Sequence, residues 1–154
     1  MSINWNCKSF DELSVHELYA ILRLRTEVFV VEQNCVFQDM DNKDQISYHI
    51  CGWQNGQLIA YTRLVPAGVS YQEASIGRVI TAPSARGTGA GKKLMRYSIE
   101  KLYELFGKQS IKLGAQLYLK KFYGSFGFAQ TSEVYIEDGI PHIEMIFPIL
   151  DDKS

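Results

Sequence analysis

Between Ser84 and Leu94 the chain reads SARGTGAGKKL, three glycines alternating with small residues, with an arginine ahead of them and two lysines behind. The flanks make this stretch the strongest constraint on the fold. EASIGRVITA, rich in β-branched residues, comes just before it and stops at Pro83. GKKLMRYSIEKLYELFG follows, with Leu94, Tyr97, Ser98, Lys101, Leu102 and Leu105 at three- and four-residue steps and Gly107 as a stop. Strand, bare loop and amphipathic helix are thus expected in succession. A helix that opens on glycines presents unpaired N–H groups and the positive end of its dipole to an anion.

Spacing separates the known phosphate cradles. A P-loop needs G-x-x-x-x-G-K-[ST]; counting back from Gly91 and Lys92, its first glycine falls on Arg86, and Lys93 stands where the hydroxyl residue belongs. The dinucleotide pattern G-x-G-x-x-G puts its third glycine on Lys92 or Leu94, so it fails as well. The pattern [RQ]-x-x-G-x-[GA] is complete at Arg86, Gly89 and Gly91.

The rest of the chain reads as a single domain over 1–154, with no repeat, linker or low-complexity tract. INWNCKSF predicts a first strand. Ser14 and Glu17 form a capping box that opens a helix carrying Leu18, Ile21, Leu22 and Arg25, and the run Val28 to Val31 predicts fraying or a bend. NCVFQDMDNKDQIS reads as a polar loop. Asn55-Gly56 between YHICGWQ and QLIAYTRLV predicts a type I′ hairpin. SIKLGAQ predicts a strand, and LYLKKFYGSFG a short helix closing on Gly127. AQTSEVYIE and IPHIEMIFPIL, joined at Asp138-Gly139, predict a second hairpin. The order is β-α-β-β-β-α-β-α-β-β.

Composition narrows the function classes. Sixteen basic and seventeen acidic residues leave a net charge of −1, so no basic surplus points to nucleic acid and no polybasic run to a membrane surface. The first residues show no leader pattern and no stretch reaches transmembrane length, which makes the cytoplasm the expected location. Cys7, Cys35 and Cys51 have no metal spacing with His16, His49 and His142, so they are expected as reduced thiols. No signature frames Cys35 as a nucleophile. DMDNKDQIS lacks the glycine and terminal glutamate of a calcium loop.

Read against known families, the [RQ]-x-x-G-x-[GA] loop resembles the coenzyme A pyrophosphate loop of the GNAT N-acetyltransferase superfamily. LRLRTEVFVVEQNC, IGRVI, LGAQ with FYGSFGF, and EDGIPHIEM are similar to blocks of its ElaA-type group, in the same order. The resemblance implies the GNAT acyl-CoA N-acyltransferase fold, an α/β fold. Its sheet is mixed and mostly antiparallel, with parallel, splayed fourth and fifth strands flanked by helices. It also implies direct acetyl transfer from acetyl-CoA to a primary amine on a small molecule or peptide, by a monomer or homodimer that needs no metal. Main-chain groups of Val79, Ile80 and Thr81 would pair with the pantetheine arm. N–H groups of Arg86, Gly87, Thr88, Gly89, Ala90, Gly91 and Lys92 would hold the pyrophosphate. Tyr123, seven residues beyond Gln116, would protonate the leaving thiolate; a phenol of pKa about 10 holds its proton at neutral pH. Gln116 stands where relatives often carry asparagine, and its longer amide offers the same hydrogen bonds from a different reach.

An incoming ammonium must lose a proton before it attacks, so a base or an acidic rim is expected. Glu32, Asp39, Asp41, His49, Glu73, His142 and Glu144 are the candidates. Glu32, beside the apolar run VFVV, and His142, beside the second hairpin turn, are assigned to the acceptor side. Two rivals share parts of this pattern. An acyl-homoserine-lactone synthase also carries an early Arg and Phe at the spacing of Arg25 and Phe29, but the intact loop speaks against it. A coenzyme A-binding regulatory module without turnover would have no use for Tyr123.

Overall fold

Ser14 opens the first helix as the capping box requires. Its Oγ accepts from the Glu17 N–H at 3.1 Å, and the Glu17 carboxylate accepts from the Ser14 N–H at 2.8 Å. The computed structural model describes residues 2–149. Its elements are β1 (Asn4–Ser9), α1 (Val15–Arg25), β2 (Tyr48–Gln54), β3 (Gln57–Val65), β4 (Ala74–Thr81), α2 (Ala90–Phe106), β5 (Ile111–Gln116), α3 (Lys120–Gly124), β6 (Ala129–Gln130), β7 (Tyr135–Glu137) and β8 (Ile140–Phe147). The sheet runs β1-β2-β3-β4-β5-β8-β6, with β7 also on β8. All pairs are antiparallel except β4 with β5, so the expected mixed fold is the one observed.

Local sequence accounts for most boundaries. Asn55 and Gly56 take φ of 53° and 73°, as do Asp138 and Gly139 with 51° and 77°, the positive values a type I′ hairpin demands. Gly107 ends α2 at φ 86°. The stripe of α2 differs slightly from its expected form: Leu94, Met95, Ser98 and Leu102 are buried, while Leu105 is exposed. Burying the large apolar residues of this face contributes on the order of 1.5–3 kcal/mol each. They pack against Leu64, Ile76, Leu113 and Met145 on one side of the sheet. Ile21, Leu24 and Val28 cover the other side, against Cys51, Tyr61 and Ile80.

Two expectations need correction. The run Val28 to Val31 neither frays nor simply bends. Residues Thr26–Glu32 form a π-helical turn, in which Gln33 and Cys35 donate to carbonyls five residues back, Val28 at 3.3 Å and Val30 at 3.0 Å. Thr26 marks the switch, its hydroxyl bonded to the Leu22 carbonyl at 2.9 Å. AQTSEVYIE is two short strands rather than one. Ala129 pairs with Ile146 but Tyr135 with His142, so the outer strand gains two residues between them. Ser132 fills the gap by accepting from the Glu144 N–H at 2.8 Å. The expected end of the last strand, Leu150, lies outside the described residues.

The polar loop 33–47 is built on charge. Arg25 is fully buried and donates to Asp39 and Asp44, each at 2.8 Å. Arg63 donates to Asp41 at 2.7 and 2.8 Å and to Asp44 at 2.9 Å, and Arg78 to Asp39 at 2.8 Å. Asp39 and Asp41 therefore do not form an acidic rim; their oxygens are held by guanidinium groups. The Arg25 and Phe29 pair, considered for a lactone synthase, has its arginine in this network. Burial alone would raise the Asp44 carboxyl, but bonds from Arg25 and Arg63 hold it below the usual range, and Asp41 is lowered in the same way by Arg63.

Truncating Arg25 to Met would take one guanidinium partner from each of Asp39 and Asp44, leaving the buried cluster with an excess negative charge, a loss of about 3–5 kcal/mol. The expected outcome is a much lower urea midpoint at an unchanged m-value, measured by fluorescence. Because the folded aspartates titrate low, their stabilisation is complete above the unfolded value of about 3.9 and is lost as pH falls through the folded values. Acid titration of Asp44→Asn should show a shallower fall in stability below about pH 4 than the parent shows.

Candidate active site

A bulge in β4 creates the cleft. Gly77 pairs with Arg63, but Ile80 pairs with Tyr61, so Arg78 and Val79 together oppose Thr62. Arg78 takes φ 51°, a left-handed conformation that costs a residue with a Cβ roughly 1–2 kcal/mol. One extra residue flips the faces of the strand. Ala74 and Ile76 lie in the core beneath α2, whereas Ile80 joins the opposite core beneath α1. Beyond Ser75 the β4–β5 pairing also ends, its partners being Ala74 with Ile111 and Ser75 with Lys112. From Ile76 onward the main-chain groups of β4 that point away from β3 meet no strand.

A cleft of about 840 Å³ opens there, within the range of small-molecule sites. Val79, Ile80 and Thr81 form one wall, and Gln116, Leu119 and Tyr123 line it too. Gly91, at the start of α2, also reaches it; a Cβ there would touch Phe122 at 3.5 Å and Thr81 at 3.8 Å. The first helical bond of α2 runs from the Lys93 N–H to the Gly89 carbonyl at 3.3 Å, which leaves the N–H groups of Ala90, Gly91 and Lys92 without an intrahelical acceptor. Gly87 and Gly89 have φ of 78° and 84°, which explains the glycines there, and nothing lies within 4 Å of where their Cβ atoms would stand. Gly87, Thr88, Gly89 and Lys92 are exposed, and Ala90 is buried beneath them.

Tyr123 sits on α3 with its ring edge-on to Phe122 and Phe128, at 5.2 and 6.1 Å between centroids. Burial pushes its phenol well above the ordinary value, so it keeps its proton at neutral pH.

The acceptor-side candidates separate clearly. Glu32 lines the cleft, but its carboxylate takes two bonds from the Arg86 guanidinium, at 2.6 and 2.8 Å, tying the π-helical turn to the glycine loop. Those bonds hold it below the usual carboxylate range. His142 lines the cleft, and Nδ1 lies 2.7 Å from the Ile140 carbonyl. His49 is corrected: it is buried between the Tyr61 hydroxyl, at 2.6 Å, and the Asp44 carbonyl, at 2.9 Å, away from the cleft, and burial lowers it. Glu144 pairs with Lys112 at 3.1 Å, and neither Glu144 nor Glu73 lines the cleft. Sequence reasoning missed Cys35, Phe37, Glu137 and Asp138, which line the same cleft as His142. The Cys35 thiol donates to the Asp138 carbonyl at 3.4 Å, a contact across 103 residues that no local signal foretells. Cys7 and Cys51, expected as plain thiols, are free, and burial pushes them up to about 11 and about 12. Among the described residues no helix is long and apolar enough to cross a membrane.

Comparison with known proteins agrees with this geometry. A family model described as an acetyltransferase (GNAT) domain matches residues 13–148. Protein ElaA of Escherichia coli strain K12 is 46% identical over 145 residues, covering 93% of this chain and 95% of that protein. The crystal structure of an acyl-CoA N-acyltransferase from Pseudomonas aeruginosa matches with a TM-score of 0.90 at 43% identity, over 94% of this chain and 99% of that one. The crystal structure of Escherichia coli ElaA matches with a TM-score of 0.88 at 44% identity, over 94% and 98% of the two chains.

Proposed function

Because the chain belongs to the acetyltransferase (GNAT) family, we propose that it transfers an acetyl group directly from acetyl-CoA to a primary amine. The observation that carries this reading is one cleft in which the unpaired edge of β4, the bare N-terminus of α2 and the phenol of Tyr123 meet. Each part suits a different portion of the donor. A peptide-like pantetheine arm adds as a strand to the edge at Val79, Ile80 and Thr81. The pyrophosphate suits the N–H groups from Arg86 to Lys92, where glycines leave the backbone bare. Gln116, on β5 across the cleft, offers an amide to the arm.

Strand N–H groups polarise the thioester carbonyl in a site shielded from water, where such dipoles act strongly. Tyr123 gives its proton to the departing thiolate. Its raised pKa does not disqualify it, since the same desolvation raises the proton affinity of the sulfur beside it. Transfer then accompanies cleavage of the C–S bond and does not precede it.

On the acceptor side, Glu32 and His142 are the residues proposed to meet the amine. Glu32 is engaged with Arg86, and a pyrophosphate that draws on Arg86 releases the carboxylate toward an ammonium. Among acceptors, a small molecule or a peptide N-terminus fits best. The near-neutral charge of the chain gives no attraction to nucleic acid or to a membrane surface, which fits a cytoplasmic enzyme, monomer or homodimer.

Two variants test the reading. Gly89→Val puts a branched side chain at φ 84° and into the open space above the loop. It should weaken acetyl-CoA binding tenfold or more by calorimetry, about 1.4 kcal/mol. Gly68→Val carries the same φ of 84° away from the cleft and should bind as the parent does. Unchanged affinity in a folded Gly89→Val protein moves the pyrophosphate elsewhere. Tyr123→Phe should lower turnover roughly ten- to a thousandfold with little change in donor affinity. Single-turnover rates within a factor of two of the parent would make Tyr123 a packing residue.

A further inference from the structure

The acceptor end of the cleft holds a histidine whose tautomer the backbone decides. His142 is 8% exposed, and its Nδ1 lies 2.7 Å from the Ile140 carbonyl oxygen. A carbonyl accepts and cannot donate, so Nδ1 carries the proton and the neutral ring keeps its lone pair on Nε2. That nitrogen lies 3.6 Å from a carboxylate oxygen of Glu137, an acceptor only. The pair therefore has no strong bond until Nε2 gains a proton, and an imidazolium formed there has its counter-charge waiting.

The surroundings fix the ring and leave that nitrogen its task. Tyr135 stacks on it, with centroids 5.9 Å apart at 26°. Gln116, its register partner on β5, is neutral. Farther along the same face of the sheet, Glu144 is satisfied by Lys112. The hydroxyls of Tyr71 and Tyr135 converge over Gly114, where a Cβ would lie 3.0 and 3.1 Å from them. Proximity to Tyr135, Glu144 and Glu137, added to the larger effect of burial, pushes the Tyr71 phenol up to about 12. Asp138, in the adjacent turn, is exposed, and its carbonyl is held by Cys35. The Lys112 ammonium stands over the Tyr71 ring, 5.7 Å from its centroid, so this corner already holds a cation.

We propose that His142 is the general base that deprotonates the acceptor's ammonium, with Glu137 stabilising the imidazolium. The inference rests on the acetyl-transfer reading and adds the missing half of its proton inventory. Nε2 takes the first ammonium proton and passes it to solvent. The freed lone pair forms the C–N bond at the thioester carbonyl. As the C–S bond breaks, its electron pair goes to sulfur, and Tyr123 supplies the proton that makes the free thiol. The nitrogen gives up its second proton through His142 and water, which restores the Tyr123 phenol. One proton is released per acetyl group transferred, as the conversion of an ammonium and a thioester to an amide and a thiol requires.

The test uses thiol release from acetyl-CoA with spermidine, L-lysine and triglycine as acceptors, and acetyl-CoA hydrolysis without amine as an acceptor-independent measure of the same base. His142→Asn keeps an N–H where Nδ1 donates to Ile140 and removes Nε2, so a merely structural histidine tolerates it. At pH 7 this variant should lose about a hundredfold or more in both reactions, with acetyl-CoA affinity unchanged by calorimetry. With an amine, the deficit should shrink as pH rises toward the acceptor's own pKa. Glu137→Gln should slow both reactions several-fold with acetyl-CoA affinity unchanged, because the imidazolium formed in the step loses its counter-charge, and Glu137→Asp should restore part of the rate. Hydrolysis and amine transfer both within twofold of the parent in His142→Asn, at every pH, overturn the base assignment and leave acetyl transfer standing. A parent that binds acetyl-CoA and hydrolyses it but acetylates none of the three amines speaks against the amine reading. The His142→Asn hydrolysis rate then still decides for or against His142.

Discussion

One strained residue holds the site open. Arg78 adopts a left-handed conformation that a residue with a Cβ avoids, and its guanidinium donates to the Asp39 carboxylate and carbonyl, each at 2.8 Å. Those bonds offset the backbone cost. The bulge they secure reverses which side of β4 faces each helix layer, and it comes where β4 parts from β5. Without it, Ile80 would point beneath α2 and the wall of the cleft would turn over. The wall formed by Val79, Ile80 and Thr81, and the approach of the chain to the α2 N-terminus beyond it, inherit that geometry.

The same residue belongs to a wider set of charges. Arg25, Arg63 and Arg78 meet Asp39, Asp41 and Asp44, so the formal charges cancel within a largely buried cluster. Such clusters add little net stability over well-packed apolar groups, yet removing one member is costly. The value of this one lies in position. It fastens the loop 33–47 to α1, β3 and β4 at once, and that loop supplies Cys35 and Phe37 to the cleft. A second, exposed pair, Glu32 with Arg86, ties the π-helical turn to the glycine loop, where solvent makes it weak and easily exchanged for an anion.

Two titratable groups with opposite needs face this space. Tyr123 is packed among phenylalanines and keeps its proton. His142 has its proton steered to Nδ1 by a backbone carbonyl, with a carboxylate beside the other nitrogen. A desolvated neutral phenol and an imidazole with its Nε2 beside a carboxylate thus face one cleft, the contrast that the proposed acid and base call for.

Local chemistry determined a good part of this protein. The capping box at Ser14, the Asn55-Gly56 and Asp138-Gly139 turns, the Gly107 stop and the glycine loop before α2 are legible because each depends on a few adjacent residues. Their conformations follow from φ limits and unpaired N–H groups alone. Tyr123 and Gln116 were legible through motif likeness and His142 through its chemistry beside a hairpin turn, and all three line one cleft. The tertiary structure decided what distant residues do to one another. Asp39 and Asp41 look like a solvated acidic loop until Arg63 and Arg78 arrive from strands more than twenty residues away. His49 looks like a base until the sheet buries it, and Glu32 looks free until Arg86 reaches it across 54 residues. Glu137 gains its meaning only when the hairpin brings it to His142. Charge pairing acts through space, and sequence order carries no record of which opposite charge a fold will bring near.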